Sequence, residues 1–232
     1  MSAGDIKIAT PSGDFTGYLA KPASGKGPGI IVIQEIFGVN ANIRAIADGY
    51  AAQGYFALAP DLFWRVEPNV QLTDKSKAEW DKAFALMNAF DQDQGVKDIQ
   101  SAIDILRKTP GCTAKIGAVG YCLGGRMAYL IAARTNVDAS VGYYGVMIDK
   151  NIGEAKNIKV PLVLHVPTAD KFVPPEAQAA MKSGLAPYSN ITLYFYEGND
   201  HAFARIGGEH YDKAAADLAN SRTADFFKKT LS

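Results

Sequence analysis

The sequence predicts an α/β fold, a mostly parallel central sheet with helices on both faces, and three observations carry that expectation. Short apolar runs alternate with amphipathic stretches along most of the chain, which is the order of strand and covering helix in such a sheet. Several runs are continuously apolar and rich in Val, Ile, Tyr and Phe, as strands buried on both faces are. Finally, the run Lys115-Ile116-Gly117-Ala118-Val119 passes through Gly120-Tyr121-Cys122-Leu123-Gly124 straight into a helix-forming stretch, a strand-turn-helix signature.

Asp5 to Ile8 and Phe15 to Ala20, joined through Pro11-Ser12-Gly13-Asp14, are expected to form an antiparallel hairpin at the sheet edge. Strand Ile30 to Ile33, helix Ile43 to Gln53 and strand Tyr55 to Ala59 follow. Residues 63–71 read as a loop, with Pro68 and Asn69, leading into a helix over Lys75 to Phe90 that carries Trp80, Phe84 and Met87. Such an excursion after a strand is a candidate wall of a binding site. The helix Gln94 to Arg107 has the clearest periodicity, with Val96, Ile99, Ile103 and Leu106 on one face. Strand Ile116 to Val119, helix Gly125 to Arg134, strands Ala139 to Tyr144 and Pro161 to Val166, helix Pro175 to Leu185, strand Ile191 to Tyr196 and helix Tyr211 to Lys229 complete the chain. No linker composition or internal repeat interrupts it, so one domain over residues 1–232 is expected.

Hydrophobic residues make up 48%, enough for a full core. Lys+Arg and Asp+Glu balance at 24 each, which argues against a nucleic-acid or anionic-membrane surface. The first residues have no basic segment followed by an apolar one, and no apolar run reaches the roughly 18 residues of a membrane span, so a soluble cytoplasmic protein is expected. The two cysteines, Cys112 and Cys122, make neither a disulfide framework nor a metal-ligand spacing. Cys112, within Pro110-Gly111-Cys112-Thr113, reads as an incidental loop cysteine.

Cys122 is different. The pattern G-x-nucleophile-x-G is a sharp strand-to-helix turn whose glycines let the backbone crowd together, projecting the central side chain above the sheet edge. There the helix N-terminus favours a thiolate, and the N–H of Leu123 points where a tetrahedral oxyanion would form. A thiol used this way needs a base and a group to orient the base. His201 sits in a polar loop after the last strand, and Asp170 in a loop after the strand Pro161 to Val166. Nucleophile, acid and histidine thus come in the chain order of an α/β-hydrolase triad, each after a strand. His165 lies inside an apolar strand and reads as a satisfied buried imidazole or pocket lining, while His210 opens the last helix beside Asp212, where capping is the expectation.

The chain resembles the dienelactone hydrolase family, the carboxymethylenebutenolidases of the α/β-hydrolase superfamily. The resemblance rests on Gln34-Glu35-Ile36-Phe37-Gly38, Gly120-Tyr121-Cys122-Leu123-Gly124-Gly125, Val141-Gly142-Tyr143-Tyr144-Gly145-Val146, Asp170-Lys171-Phe172-Val173-Pro174 and Asp200-His201-Ala202-Phe203-Ala204-Arg205, in order over nearly the whole chain. It implies an α/β-hydrolase fold, Cys122 as nucleophile, His201 as base and then acid, and Asp170 as orienting group. It implies that Glu35 opposes ionisation of the resting thiol, or accepts its S–H, until substrate displaces it. The oxyanion hole would be the N–H groups of Leu123 and Ile36, Arg205 would bind a substrate carboxylate, and Phe37, Tyr143 and Tyr144 match pocket positions, with core filling as the alternative for each. The chain departs from the family pattern at two places: Trp80 stands where a second carboxylate-binding arginine is expected, and Met87 where a tryptophan is expected. With Phe84 between them, these would give a pocket with one cation fewer and one indole more.

The resulting expectation is hydrolysis of a carboxylic ester, an unsaturated lactone such as dienelactone opened to maleylacetate, through an acyl-enzyme on Cys122. A broader carboxylesterase or thioesterase with the same Cys-His-Asp triad is the alternative. A glutaminase would pair its cysteine with a late H-x-E, whereas Ala202 and Phe203 follow His201; a thiol sensor with a silenced site would not need Asp170 and His201. No metal or organic cofactor is implied. The expected partner is a small-molecule ester or lactone, with no nucleic acid and no membrane, and a monomer rather than an obligate oligomer is expected.

Overall fold

The computed structural model describes residues 2–232, which divide into two compact units, one ending at Ala118 and one beginning at Val119. The first holds β1 (Ser2–Thr10), β2 (Gly13–Lys21), β3 (Gly27–Ile33), α1 (Ala41–Ala52), β4 (Phe56–Pro60), α2 (Lys77–Ala89) and α3 (Gln92–Lys108). The boundary falls within β5 (Cys112–Tyr121). The second holds α4 (Leu123–Arg134), β6 (Ala139–Tyr143), a 3-10 helix (Ile148–Asn157), β7 (Leu162–Pro167), α5 (Pro175–Leu185), β8 (Ile191–Tyr196) and α6 (Lys213–Leu231). The strands are ordered β1-β2-β4-β3-β5-β6-β7-β8, a mixed α/β sheet of the expected class.

In the first unit, β1 and β2 form the expected edge hairpin, with Ile8 opposite Phe15 and the turn closed by Thr10 and Gly13. β2 pairs antiparallel with β4, and β4 parallel with β3. Every residue of β4 and of the segment Ile30–Ile33 is buried. Successive strand residues point to opposite faces, so both faces are covered, by α1 and α3. The α3 stripe Val96, Ile99, Ile103 and Leu106 is buried as its spacing requires. Buried Asp98 on the same helix accepts from Trp64 Nε1 at 2.9 Å and from Arg65 Nη2 at 2.7 Å, pinning the loop that precedes α2. α2 starts at a capping box: the Ser76 side chain accepts the Glu79 N–H, and the Glu79 carboxylate accepts the Ser76 hydroxyl.

In the second unit, β6, β7 and β8 run parallel. α4 and α6 pack on β6. Residues Leu123–Ala132 of α4 are all buried, so this helix has no solvent face. A polar chain threads the core: His165 Nδ1 meets the Tyr196 hydroxyl at 2.7 Å, its Nε2 meets Thr223 Oγ1 at 2.9 Å, and Thr223 in turn meets the Tyr143 hydroxyl at 2.7 Å. Burial, reinforced by Arg222, holds the His165 imidazole down to about 3, so it is neutral.

Three features differ from expectation. Cys112 opens β5 rather than lying in a loop, because Gly111, at φ +88°, completes the turn and the Cys112 N–H donates back to the Thr109 carbonyl. α4 begins at Leu123, two residues early, because Gly124 and Gly125 serve close packing rather than breaking the helix. The 3-10 helix after β6 had no periodic apolar signal; it follows Met147, which takes the left-handed conformation at φ 59°.

Candidate active site

The elbow is shaped by backbone crowding. A Cβ on Gly120 would overlap the Gly124 carbonyl, and one on Gly125 would lie 2.6 Å from the Tyr143 carbonyl oxygen and 2.7 Å from Gly145 Cα. Cys122 sits between them at φ 55°, ψ −114°, a conformation that costs an L-residue on the order of 1–3 kcal/mol and persists only where neighbours impose it. They do so here. The Cys122 N–H donates to the Tyr143 carbonyl at 3.1 Å, and the Cys122 carbonyl accepts the N–H groups of Gly125 at 3.0 Å and Arg126 at 3.2 Å. Leu123 is the first residue of α4, so its N–H belongs to the helix end that lacks intrahelical acceptors.

Asp170 and His201 follow β7 and β8, whose parallel register ends at Pro167 opposite Tyr196. The two loops are laced together: Thr168 N–H to the Tyr196 carbonyl at 3.0 Å, Gly198 N–H to Thr168 Oγ1 at 2.8 Å, and Ala169 N–H to the Asn199 carbonyl at 2.9 Å. Gln178 on α5 braces the acid loop by donating to the carbonyls of Thr168 and Val173. His201 Nδ1 then lies 2.7 Å from Asp170 Oδ2, with both side chains buried. On its other side His201 hydrogen-bonds Cys122. Burial alone lowers the imidazole's proton affinity, but the Cys122 charge and the Asp170 carboxylate outweigh it and raise His201 to about 10. The structure thus brings together the three residues that sequence order singled out.

The chain matches the model of the dienelactone hydrolase family over residues 15–231. The chain belongs to the dienelactone hydrolase family. A candidate carboxymethylenebutenolidase of Azospirillum brasilense is 48% identical to it, covering 97% of this chain and 98% of that protein. The carboxymethylenebutenolidase of Pseudomonas putida is 38% identical, covering 91% and 90%. Among solved structures, a candidate dienelactone hydrolase from Klebsiella pneumoniae subsp. pneumoniae superposes with a TM-score of 0.87 at 25% identity, covering 98% of each chain.

The other residues of the family pattern are placed as follows. Tyr144 is buried, at φ 39°, with its ring edge-on to His201 at 5.1 Å. Tyr143 is fully buried: its hydroxyl points to Asn220 and Thr223 on α6, and its carbonyl accepts the Cys122 N–H. Arg205 is half-buried on the loop after His201, and its N–H donates to the Ala202 carbonyl. In the first unit, Glu35 is only 2% exposed, so it is no solvent-facing strand-end glutamate; Ile36 and Phe37 are buried beside it in sequence. Trp80 meets Phe37 edge-on at 4.9 Å and Phe84 at 5.6 Å, and its Nε1 donates to the Asp74 carbonyl. Met87 is half-buried on the same helix.

Two residues outside the expected set lie beside the triad. Phe172, 48% exposed, stands edge-on to His201 at 4.8 Å. Arg126 is buried one turn after Cys122. A cation in the first turn of a helix whose only other charge is Arg134 at its end was the signal for Arg126; the sequence held none for Phe172 beyond its neighbour Asp170. Among the described residues no helix is long and apolar enough to cross a membrane.

Proposed function

We propose that this chain is a carboxylic-ester hydrolase that opens a small ester or lactone through an acyl-enzyme on Cys122. The observation that carries the reading is the Asp170-His201-Cys122 relay, closed at 2.7 Å between acid and base beside a strained elbow, in a member of this family. The thiolate attacks the carbonyl carbon; the tetrahedral oxyanion collapses with cleavage of the ester C–O bond, and the departing oxygen takes the proton from His201. His201 then draws a proton from one water, whose oxygen attacks the thioester, and the carboxylic acid is released with the thiolate restored.

Within this reading the N–H groups of Leu123 and Ile36 stabilise the oxyanion, and Glu35 is a further acid of the catalytic set. Arg205 holds an anionic substituent, and Phe37, Tyr144, Trp80, Phe84 and Met87 line the pocket. The enzyme works as one domain over residues 1–232, in the cytoplasm, as a monomer and without a cofactor. Relatives named carboxymethylenebutenolidase support an unsaturated lactone, dienelactone opened to maleylacetate, as substrate. The aromatic cluster Trp80-Phe37-Phe84 favours a second reading, a broader carboxylesterase or thioesterase with the same triad.

The test is turnover of dienelactone against a panel of p-nitrophenyl esters, with intact-mass analysis after rapid acid quench. An acyl adduct on Cys122, absent in Cys122→Ala, is the expected result. Full turnover by Cys122→Ala would overturn the mechanism, and hydrolysis of the panel without the lactone would select the broader esterase.

A further inference from the structure

Arg126 lies on the first turn of α4, and its backbone N–H donates to the Cys122 carbonyl at 3.2 Å. Only 7% of it is exposed. Among the described residues no carboxylate comes within ion-pair distance of its guanidinium. Its Nη1 donates to the thioether sulfur of Met147 at 3.3 Å, and its Nε is buried with no acceptor at all. A guanidinium cannot shed its charge, carries five donors, and is strongly destabilising when buried without an anion. A thioether is a weak acceptor on a flexible side chain, hence a poor permanent partner and an easily displaced one.

Met147 belongs to the loop that follows β6. That loop also places Tyr144 edge-on to His201, and its Val146 N–H approaches the Cys122 carbonyl at 3.5 Å. The Met147 side chain is 43% exposed while the guanidinium beneath it is not, so the thioether covers the cation on the outer side. The Cys122 charge is felt at Arg126, where burial pushes the guanidinium down and Cys122 pushes it up. A cation that close to the nucleophile, satisfied only by a movable sulfur, is built to receive an anion that arrives with the ligand.

We propose that Arg126 is a substrate-recognition residue: its guanidinium takes a carboxylate of the ester's own molecule, displacing the Met147 thioether, while the scissile carbonyl sits over Cys122. This rests on the hydrolase reading for the identity of the ligand and adds a carboxylate site on α4, separate from Arg205. Bidentate pairing with the planar fork provides both the strength and the orientation.

The test measures how well two non-hydrolysable probes shield Cys122 from iodoacetamide, a neutral reagent whose approach does not depend on local charge. Succinamate carries one carboxylate and one amide; succinamide replaces the carboxylate with a second amide. In the wild-type protein succinamate should shield Cys122 and succinamide should not. In Arg126→Met the half-shielding concentration of succinamate should rise about 30-fold, the loss of one charge-assisted partner. Arg126→Lys, which keeps the charge without the fork, should lose part of the effect, and it carries the test if the Met variant fails to melt cooperatively. Shielding by succinamate that survives in Arg126→Met overturns the proposal, as does absence of charge-dependent shielding in the wild type. A change in alkylation rate that is the same with and without probe also overturns it, because Arg126 would then act on the thiol itself. Charge-dependent shielding in a protein that turns over no ester would keep Arg126 as a carboxylate site and sink the hydrolase reading instead.

Discussion

His201 Nδ1 lies 2.7 Å from Asp170 Oδ2, while the other carboxylate oxygen of Asp170 accepts the Phe172 N–H at 2.8 Å. The acid is thus fixed from two sides and has one direction left in which to hold the imidazole. The same contact that sets the acid places Phe172, whose ring then stands edge-on to that imidazole. Orientation of the base is therefore a property of the β7 and β8 loops together rather than of one residue.

Asp170→Asn should lower kcat for ester hydrolysis by about 10^3–10^4-fold, because the amide can leave the imidazole in the wrong tautomer while preserving the fold. Steady-state rates with a p-nitrophenyl ester, alongside a melting curve, check it. A loss of less than about tenfold at unchanged stability would mean that Asp170 does not orient the base.

The catalytic order was legible in the sequence because a glycine-flanked elbow marks Cys122, and Asp170 and His201 follow apolar strands in the order acid then histidine. The start of α4 was not, since Gly124 reads as the end of the turn until the packing of its carbonyl against Gly120, and of Gly125 against the β6 end, is known. Tyr143 stayed open between pocket and core because pattern cannot say which way a phenol points; its hydroxyl partners, Asn220 and Thr223, lie far along the chain. Arg126 escaped notice for a related reason. Whether an isolated cation on a helix is solvated or buried depends on the covering loop, here the one carrying Met147, and no periodicity reports that.

The two cysteines should differ sharply toward an alkylating agent. Burial pushes the Cys112 thiol up to about 11, so at neutral pH it is almost wholly protonated, whereas Cys122 hydrogen-bonds His201. Substoichiometric iodoacetamide at pH about 7.5 should label Cys122, and activity should fall in proportion to that label. Peptide mapping by mass spectrometry decides between them. Label confined to Cys112 with parallel loss of activity would contradict the assignment of the nucleophile.

Stability should fall on both sides of pH about 6.5, for opposite reasons. His165 is held neutral down to about 3, so below the unfolded value only the unfolded chain takes up that proton, and stability is lost as pH falls from 6.5 toward 3. His201 is raised to about 10, so its contribution is fully present below 6.5 and is lost as pH rises from there through about 10. Each limb can reach about 1.4 kcal/mol per pH unit from a single proton. Urea denaturation across the range should show His165→Asn flattening the acid limb alone and Cys122→Ala flattening the alkaline limb, since Cys122 is the largest contributor raising His201. Unchanged slopes in either variant would remove that histidine from the account.

Two glycine-to-alanine substitutions should move stability in opposite directions. At Gly125 the added methyl would meet backbone, the Tyr143 carbonyl and Gly145 Cα, which cannot swing aside as a side chain does. Gly125→Ala should therefore destabilise by about 1–3 kcal/mol. It should also depress kcat, because the Tyr143 carbonyl is the acceptor that holds the Cys122 N–H and a shift there moves the elbow. At Gly49, inside α1, the methyl meets nothing within 4 Å. There the substitution removes only the excess freedom of glycine in the unfolded chain and should stabilise by about 0.5–1 kcal/mol with kcat unchanged. Urea midpoints and turnover measured on the two variants separate the effects: if Gly125→Ala lost stability but kept full kcat, the elbow geometry would tolerate displacement, and the strain at Cys122 would have no part in catalysis.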